Sequence, residues 1–373
     1  MNFKITKRHF YQALTVVSRA ISANSPIPSL SGIKIDVMEN EICLTGSDSD
    51  VSIKKSIKNT ENDLIFEVHE TGSIVIEAKY IIEIVRKIDA NEIEVEIIDG
   101  SLTKFSGLST EFKINGMKST EYPMIDFSKP NNTFLIDANL LLKIIMQTTF
   151  ATSDRETRPV LTGVNFNCND YVLECVATDS YRLAKKVVRL KESNNFNITI
   201  PAKSLSEIAK SIDKDEEIEI SVSDKKVQFL VGETLIQTRL IDGTYPETSR
   251  LIPTEFVSEF SLDSRDILSA IDRASFIKND GISIIRLNAN KNEIIISSKS
   301  QEVGSSTEKI NNFSYEGESI EISFSGKYVY ESIRALDATE IKICFSGEMK
   351  PFIIKNKNDD SIIQLVLPVR TYS

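Results

Sequence analysis

Apolar positions along this chain follow two periods, and both periods recur in three stretches. After Thr6, Asp137 and Asp263 come apolar residues at helical spacing: Phe10, Ala13, Leu14 and Val17; Leu141, Ile144, Ile145 and Thr148; Ile267, Ala270, Ile271 and Ala274. An i, i+3, i+4, i+7 stripe predicts a helix that buries one face. The Thr and two Asp residues are expected to cap these helices by accepting from first-turn N–H groups. Short apolar strands lead into them, starting at Phe3, Phe134 and Phe260. A second helix per stretch carries Ile81, Ile84, Val85 and Ile88; Leu205, Ile208, Ala209 and Ile212; Val329, Ser332, Ile333 and Leu336. Between the helices, runs such as Ile33–Val37, Ile93–Ile97 and Ile218–Val222 alternate at period two, as half-buried strands do.

The second helices keep one register. Lys79, Glu83 and Asp89 recur as Lys203, Glu207 and Asp213, then as Lys327, Glu331 and Asp337, each step being 124 residues. The pattern predicts three copies of one α+β domain, each with two helices packed on antiparallel sheet. The copies span residues 1–129, 130–253 and 254–373. A period this long exceeds that of a solenoid repeat, so each copy is expected to own its core. Ser128-Lys129-Pro130-Asn131-Asn132 and Arg250-Leu251-Ile252-Pro253-Thr254 link them, and neither reads as a long flexible tether.

Charge changes the picture. The chain of 373 residues carries a formal net charge of −10, yet residues 6–21 hold Lys7, Arg8 and Arg19 and no acid. Each second helix has a basic pair seven residues apart: Lys79/Arg86, Lys203/Lys210 and Lys327/Arg334. Seven residues is nearly two turns, so each pair shares a face. The Glu between them is placed to pair with both. For one helix, the plain reading is a solvated, self-paired face. Three such faces on helices of net positive charge, in an otherwise acidic chain, suit sequence-independent contact with a polyanion.

Catalytic patterns are missing. There is no G-x-S-x-G, Walker A or G-x-G-x-x-G, and Ser325-Gly326-Lys327 lacks a glycine-rich loop. Asp48-Ser49-Asp50 reads as a strand-end turn in preference to a metal site. The four cysteines form no C-x-x-C pair and only His9 and His69 are present. No metal, no cofactor and no disulfide framework is expected. The N-terminus lacks the apolar region of a signal peptide and no apolar run is long enough to span a bilayer, so a cytoplasmic location is expected.

Particular segments carry a resemblance. Thr157-Arg158-Pro159-Val160-Leu161-Thr162-Gly163-Val164, Ala177-Thr178-Asp179-Ser180-Tyr181-Arg182-Leu183-Ala184, Tyr245-Pro246 and Leu367-Pro368-Val369-Arg370, with the three repeats, resemble the bacterial sliding clamp, the beta subunit of DNA polymerase III, over the whole length. The resemblance implies a non-catalytic processivity factor for DNA replication. It implies a head-to-tail homodimer forming a six-domain ring around double-stranded DNA, loaded by an ATP-dependent clamp loader. It also implies a cleft for peptides of the replicative polymerase and other clamp-binding proteins. Cleft positions carried over are Leu161, Thr178, Ser180, Tyr181, Arg182, Leu183, Pro246, Arg250, Leu251, Ile282, Ser325, Tyr328, Met349, Leu365, Val366, Leu367, Pro368, Val369 and Arg370. For the dimer, Phe112 and Ile114 on an edge strand are to meet Phe276 and Ile277 at a helix end of the other chain. Relatives often place a DNA-touching Arg where this chain has Asn24, and its tail continues as Thr371-Tyr372-Ser373. The DNA contacts expected here are therefore Arg19, Lys79, Arg86, Arg155, Arg158, Lys203, Lys210 and Lys327. Two other readings compete: a monomeric peptide-binding scaffold, which Phe112→Asp would leave unchanged, and an enzyme built on repeated domains.

Overall fold

The computed structural model describes residues 1–22, 25–212, 217–278 and 281–370; Asn24, Asp213 and Thr371-Tyr372-Ser373 lie outside the described residues. The predicted helices form as α1 (Lys7–Ser18), α2 (Ala78–Lys87), α3 (Ala138–Thr148), α4 (Ala202–Ala209), α5 (Ser264–Ala274) and α6 (Gly326–Leu336). The first-helix stripes of all three copies are buried throughout. In the second helices Ile84 and Ala209 are only half-buried, while the other stripe residues are buried. α1 seats closely on strand Ile42–Ser47: a Cβ on Gly46 would stand 2.3 Å from the Val17 carbonyl oxygen.

One capping expectation fails. Asp263 accepts from the Arg265 N–H as a cap should, but Thr6 makes no side-chain cap bond to α1. The Thr6 hydroxyl instead lies 2.7 Å from His9 Nδ1, a side-chain partner competing with the backbone.

Strand pairing is antiparallel among the described residues. A five-stranded sheet runs Phe66–Glu70, Asn2–Thr6, Glu92–Asp99, Leu102–Ser106, Glu111–Asn115, with the last strand on its edge. A nine-stranded sheet begins in the first copy and continues into the second where Val51–Ile57 pairs with Thr234–Arg239, Ile53 opposite Ile236. A seven-stranded sheet joins the second and third copies where Arg182–Pro201 pairs with Asp359–Val366. A four-stranded sheet, Gly304–Ile310, Ile294–Ser300, Ile284–Ala289, Ile320–Ser325, completes the third copy.

This continuity explains the grouping of the chain into two compact units: Met1–Asn139 with Ser206–Leu240, and Leu140–Leu205 with Ile241–Ser373. Sheets cross the repeat boundaries, so the middle copy contributes to both units. The expectation that each copy owns its core is met by the third, whose main cluster runs from Phe260 to Val366. A second cluster departs from it, because Val176 and Leu183 of the middle copy pack with Cys344, Ile353 and Leu365 of the third. Leu183, Leu365, Ile353 and Cys344 stand side by side in register across four strands, so one row of the sheet makes that bridge.

In the first unit the linker is pinned to the nine-stranded sheet. Lys226 Nζ donates to the Asp126 carbonyl and carboxylate at 2.7 and 3.1 Å, and Gln228 donates to the carbonyls of Phe127 and Ser128. Hydrogen bonds from Ser128 and Lys226 hold the Asp126 carboxyl down at about 2. Asp48-Ser49-Asp50 is a hairpin turn: Asp48 accepts from the N–H groups of Asp50 and Val51, and Ser49 has a φ of 82°.

Candidate peptide cleft and basic helix faces

The Ala177–Ala184 segment is built around Asp179. Its Oδ1 accepts from the N–H groups of Tyr181 and Arg182 at 2.9 and 3.0 Å, closing a turn in which Ser180 has a φ of 77°. Thr178 ties both ends, its hydroxyl donating to the Arg182 carbonyl at 2.6 Å and accepting from the Ser180 N–H at 3.1 Å. The Tyr245 hydroxyl accepts from the Thr178 N–H at 3.1 Å, and burial pushes that phenol well above its ordinary range. The turn thus presents Tyr181, 57% exposed, at the surface.

Arg182 lies beneath, only 6% exposed, and acts as a brace. Its Nε donates to Asp179 at 3.1 Å and one terminal nitrogen to the Phe150 carbonyl at 2.5 Å; the other meets Glu331 of α6. The guanidinium carbon sits 4.6 Å from the centre of the Tyr328 ring, a cation–π distance. Tyr328 in turn stacks on Tyr181 with centroids 6.4 Å apart. The C-terminal segment crosses here, the Leu367 N–H donating to the Tyr181 carbonyl at 2.9 Å and the Val369 N–H to the Ser323 carbonyl at 2.7 Å. A cavity of about 1050 Å³ opens beside them, walled by Tyr181, Ile282, Ser325, Tyr328 and Val369 together with Phe276.

The expected cleft residues therefore sort by accessibility. Tyr181, Ser180, Pro246, Arg250, Leu251, Ile282, Met349 and Arg370 are exposed; Tyr328, Leu367, Pro368 and Val369 are half-buried; Leu161, Thr178, Arg182, Leu183, Ser325, Leu365 and Val366 are buried. Hydrogen bonds and ring contacts join Tyr181, Arg182, Tyr328 and Leu367 directly. Leu183, Leu365 and Leu367 meet in the bridging apolar cluster, which underlies the cleft. Phe150, Asp179, Tyr245 and Glu331, which hold the turn and the brace, lie outside the expected cleft positions. Asp179 and Tyr245 lie inside the very segments that carry the resemblance, a signal available from sequence. Glu331 was assigned to self-pairing on its helix.

That self-pairing expectation needs correction on two helices. On α2, Glu83 pairs with Arg86 at 2.6 Å and Lys87 at 3.6 Å, while Lys79 turns back to Glu77 at 2.7 Å. A Glu preceding a Lys by four residues is the favoured order, and Lys79 preceding Glu83 is the weaker one. On α6, Glu331 leaves its helix for Arg182, and the exposed Lys327 and Arg334 have no ion pair among the described residues. On α4, Glu207 pairs with Lys210 at 2.8 Å, one of its two expected partners.

The expected DNA contacts are exposed, except the half-buried Arg19. Arg19 donates to the Lys210 carbonyl at 2.7 Å and to the Ser211 hydroxyl at 2.8 Å, so it also satisfies the open end of the chain after α4. Arg155 and Lys327 wall the same cavity in the second unit. For the expected dimer contacts, Phe112 and Ile114 lie half-buried on the edge strand and Phe276 is exposed just past α5. Ile277 is buried within its own chain, 2% exposed. No grouping of three or more His, Cys, Asp or Glu suited to a metal ion occurs among the described residues, and none of their helices is long and apolar enough to cross a membrane.

Three copies of a two-helix, antiparallel-sheet unit joined by shared sheets define a clamp-type repeat protein. Family profiles of the DNA polymerase III beta subunit match in order: the N-terminal domain over residues 1–126, the central domain over 135–247 and the C-terminal domain over 249–370. A beta sliding clamp of Staphylococcus epidermidis is 39% identical over 376 residues, covering all of both chains. The beta sliding clamp of Bacillus subtilis is 39% identical over 378 residues, again in full. The crystal structure of the DNA polymerase sliding clamp from Bacillus subtilis superposes with a TM-score of 0.96 at 38% identity over all of both chains. A DNA polymerase III beta chain from Streptococcus pneumoniae gives a TM-score of 0.96 at 33% identity over 99% of this chain and 100% of that one. The chain belongs to the DNA polymerase III beta subunit family, the beta sliding clamps: it is a processivity factor of DNA replication and performs no catalysis of its own.

Proposed function

We propose that two chains close head to tail into a six-domain ring around double-stranded DNA, with copies bounded near residues 1–129, 130–253 and 254–373. The observation that carries the ring is the edge strand Glu111–Asn115. Among the described residues no strand lies beside its outer backbone groups, and Phe112 and Ile114 share one face at period two. The exposed Phe276 of a second chain is its apolar counterpart. A heterologous contact made twice closes a ring of two. Ile277 then supports that surface from within the core.

Arg19, Lys79, Arg86, Arg155, Arg158, Lys203, Lys210 and Lys327 are proposed to contact phosphates without reading bases, which lets the ring slide. The Tyr181–Tyr328 pair and the exposed Leu251, Ile282 and Met349 suit apolar anchors of a short peptide from the replicative polymerase, the clamp loader or another replication or repair protein. Tethering raises the local polymerase concentration at the primer end. The setting is the bacterial cytoplasm.

Negative-stain electron microscopy at micromolar concentration tests this reading. Six-lobed rings are expected from the wild type and open single chains from Phe112→Asp. Single chains from both would give the lead to a monomeric peptide-binding scaffold. An alanine triple of Lys79, Lys203 and Arg155 is expected to weaken loading on DNA while dimerisation survives; equal loading would remove the DNA-contact assignment.

A further inference from the structure

The first-turn end of α1 carries a recess that the expected DNA contacts leave unused apart from Arg86. It measures about 560 Å³ and is walled by Thr6, Lys7, Arg8, His9, Tyr11, Arg86 and Asn91, the His9 ring being held between the Thr6 hydroxyl and Asp63. Its cations differ in availability. Lys7 Nζ donates to the Ile88 carbonyl at 2.6 Å, and Arg86 has one terminal nitrogen on Glu83. Arg8 is exposed and has no hydrogen bond or ion pair among the described residues.

The third copy explains why Arg8 stands apart. Arg265 is the second residue of α5 as Arg8 is the second of α1. There the preceding Asp263 takes the arginine, Nη2 lying 2.8 Å from its carboxylate. The matching residue before α1 is Thr6, whose hydroxyl is turned to His9. The other arginine of α5, Arg273, is likewise neutralised by Glu308 at 2.7 Å. The same helix position thus carries a neutralised arginine in one copy and an unneutralised one in the other.

We propose that this recess is a backbone-phosphate site for duplex DNA, with Arg8 as its principal contact and Arg86 and Tyr11 beside it. The proposal rests on the DNA-encircling reading and extends it to residues outside the expected set. A guanidinium fork suits two phosphodiester oxygens. The aliphatic stems of Lys7 and Arg8 and the Tyr11 ring offer an apolar wall of the kind a deoxyribose packs against. A contact made to phosphodiester oxygens carries no base information, so this one is sequence-independent.

The test uses the full chain. Affinity for a duplex is measured by fluorescence anisotropy across a salt series for wild type, Arg8→Ala, Arg8→Lys and the alanine triple of Lys79, Lys203 and Arg155. Arg8→Ala is expected to lower affinity several-fold at low salt and to make the slope of log K against log salt shallower by about 0.9, the value for one phosphate contact. Arg8→Lys is expected to restore most of that slope. An unchanged slope in Arg8→Ala beside a weakened triple overturns the Arg8 site alone. Unchanged binding in both overturns the DNA reading itself. Arginine Nε NMR then separates sources of phosphate: the Arg8 resonance should move with duplex and stay still with millimolar pyrophosphate. Movement with pyrophosphate and none with duplex would make the recess a free-anion site and overturn the backbone assignment. An unchanged melting temperature for Arg8→Ala would show that the exposed side chain has no role in folding.

Discussion

Helices α2 and α6 spell almost the same pattern and do different things. Lys79-Tyr80, Glu83 and Arg86 on α2 stand in register with Lys327-Tyr328, Glu331 and Arg334 on α6. On α2 the acid closes onto its own helix, and Tyr80 stays 48% exposed with the Lys79 ammonium 4.5 Å above its ring. On α6 the acid reaches out to the buried Arg182, and Tyr328 folds down between that guanidinium and Tyr181. Both helices are entered from an extended residue, and what sets their polar faces apart is an arginine on the strand that starts at Arg182, delivered by the Asp179 turn. The repeat fixes where a helix sits, and the neighbour it meets decides whether its polar face stays open to solvent or becomes the wall of a cleft.

The widest separation between the two helices should come from their arginine partners. Arg182→Ala leaves Asp179 and Glu331 without their cation and the Phe150 carbonyl without its donor. Removing one partner of a buried pair costs about 3–5 kcal/mol, reduced to roughly 2–4 here because the Glu331 side chain remains partly exposed. Arg86→Ala removes an exposed pair and should leave the denaturation midpoint within error. Urea unfolding of both variants checks this; comparable losses would mean that Arg182 is no brace and that the two helices are equivalent after all.

A smaller effect should separate the tyrosines. Tyr328→Ala removes a ring held between Arg182 and Tyr181 and is expected to weaken a clamp-binding peptide on the order of tenfold, as loss of an aromatic anchor does. Tyr80→Ala should leave peptide affinity unchanged. Calorimetry with one polymerase-derived peptide would decide it, and an equal loss in both variants would place the peptide somewhere other than the Tyr181–Tyr328 pair.

What the sequence could reveal follows the same division. The helices and their buried stripes were legible because burial on one face imposes a period, and the stripes of α1, α3 and α5 are buried at every named position. Sheet continuity between copies was not legible, since pairing Ile53 with Ile236 depends on contacts distant in sequence. The Thr178–Arg182 turn was visible as a motif, yet the depth of Arg182 was not. A charged residue in a motif reads as surface until Glu331, about 150 residues on, is found against it. Local i, i+4 logic put Glu331 on its own helix because it had no means to count that competitor. It also placed Lys79 on Glu83, where Glu77 prevails.

The finest distinction concerns the two acids themselves, and pH is the way to reach it. The hydrogen bond from Arg86, with its charge, holds the Glu83 carboxyl below its ordinary value of 4.5. A group depressed on folding contributes stability that is complete above its unfolded value and is lost as pH falls through its folded one. Glu83 should therefore matter above about pH 4.5 and cease to matter below its own midpoint. Being exposed, it should matter little even then. Carbon-13 titration of side-chain carboxyls should place the Glu83 midpoint under 4.5 in the wild type and raise it in Arg86→Ala, where only the weaker Lys87 pairing remains. In Arg182→Ala it should not move, because α2 has no part in that brace. A Glu83 midpoint that ignores Arg86 would mean the acid is not closed onto its own helix in solution, and the contrast between an open face and a cleft wall would then rest on Arg182 alone.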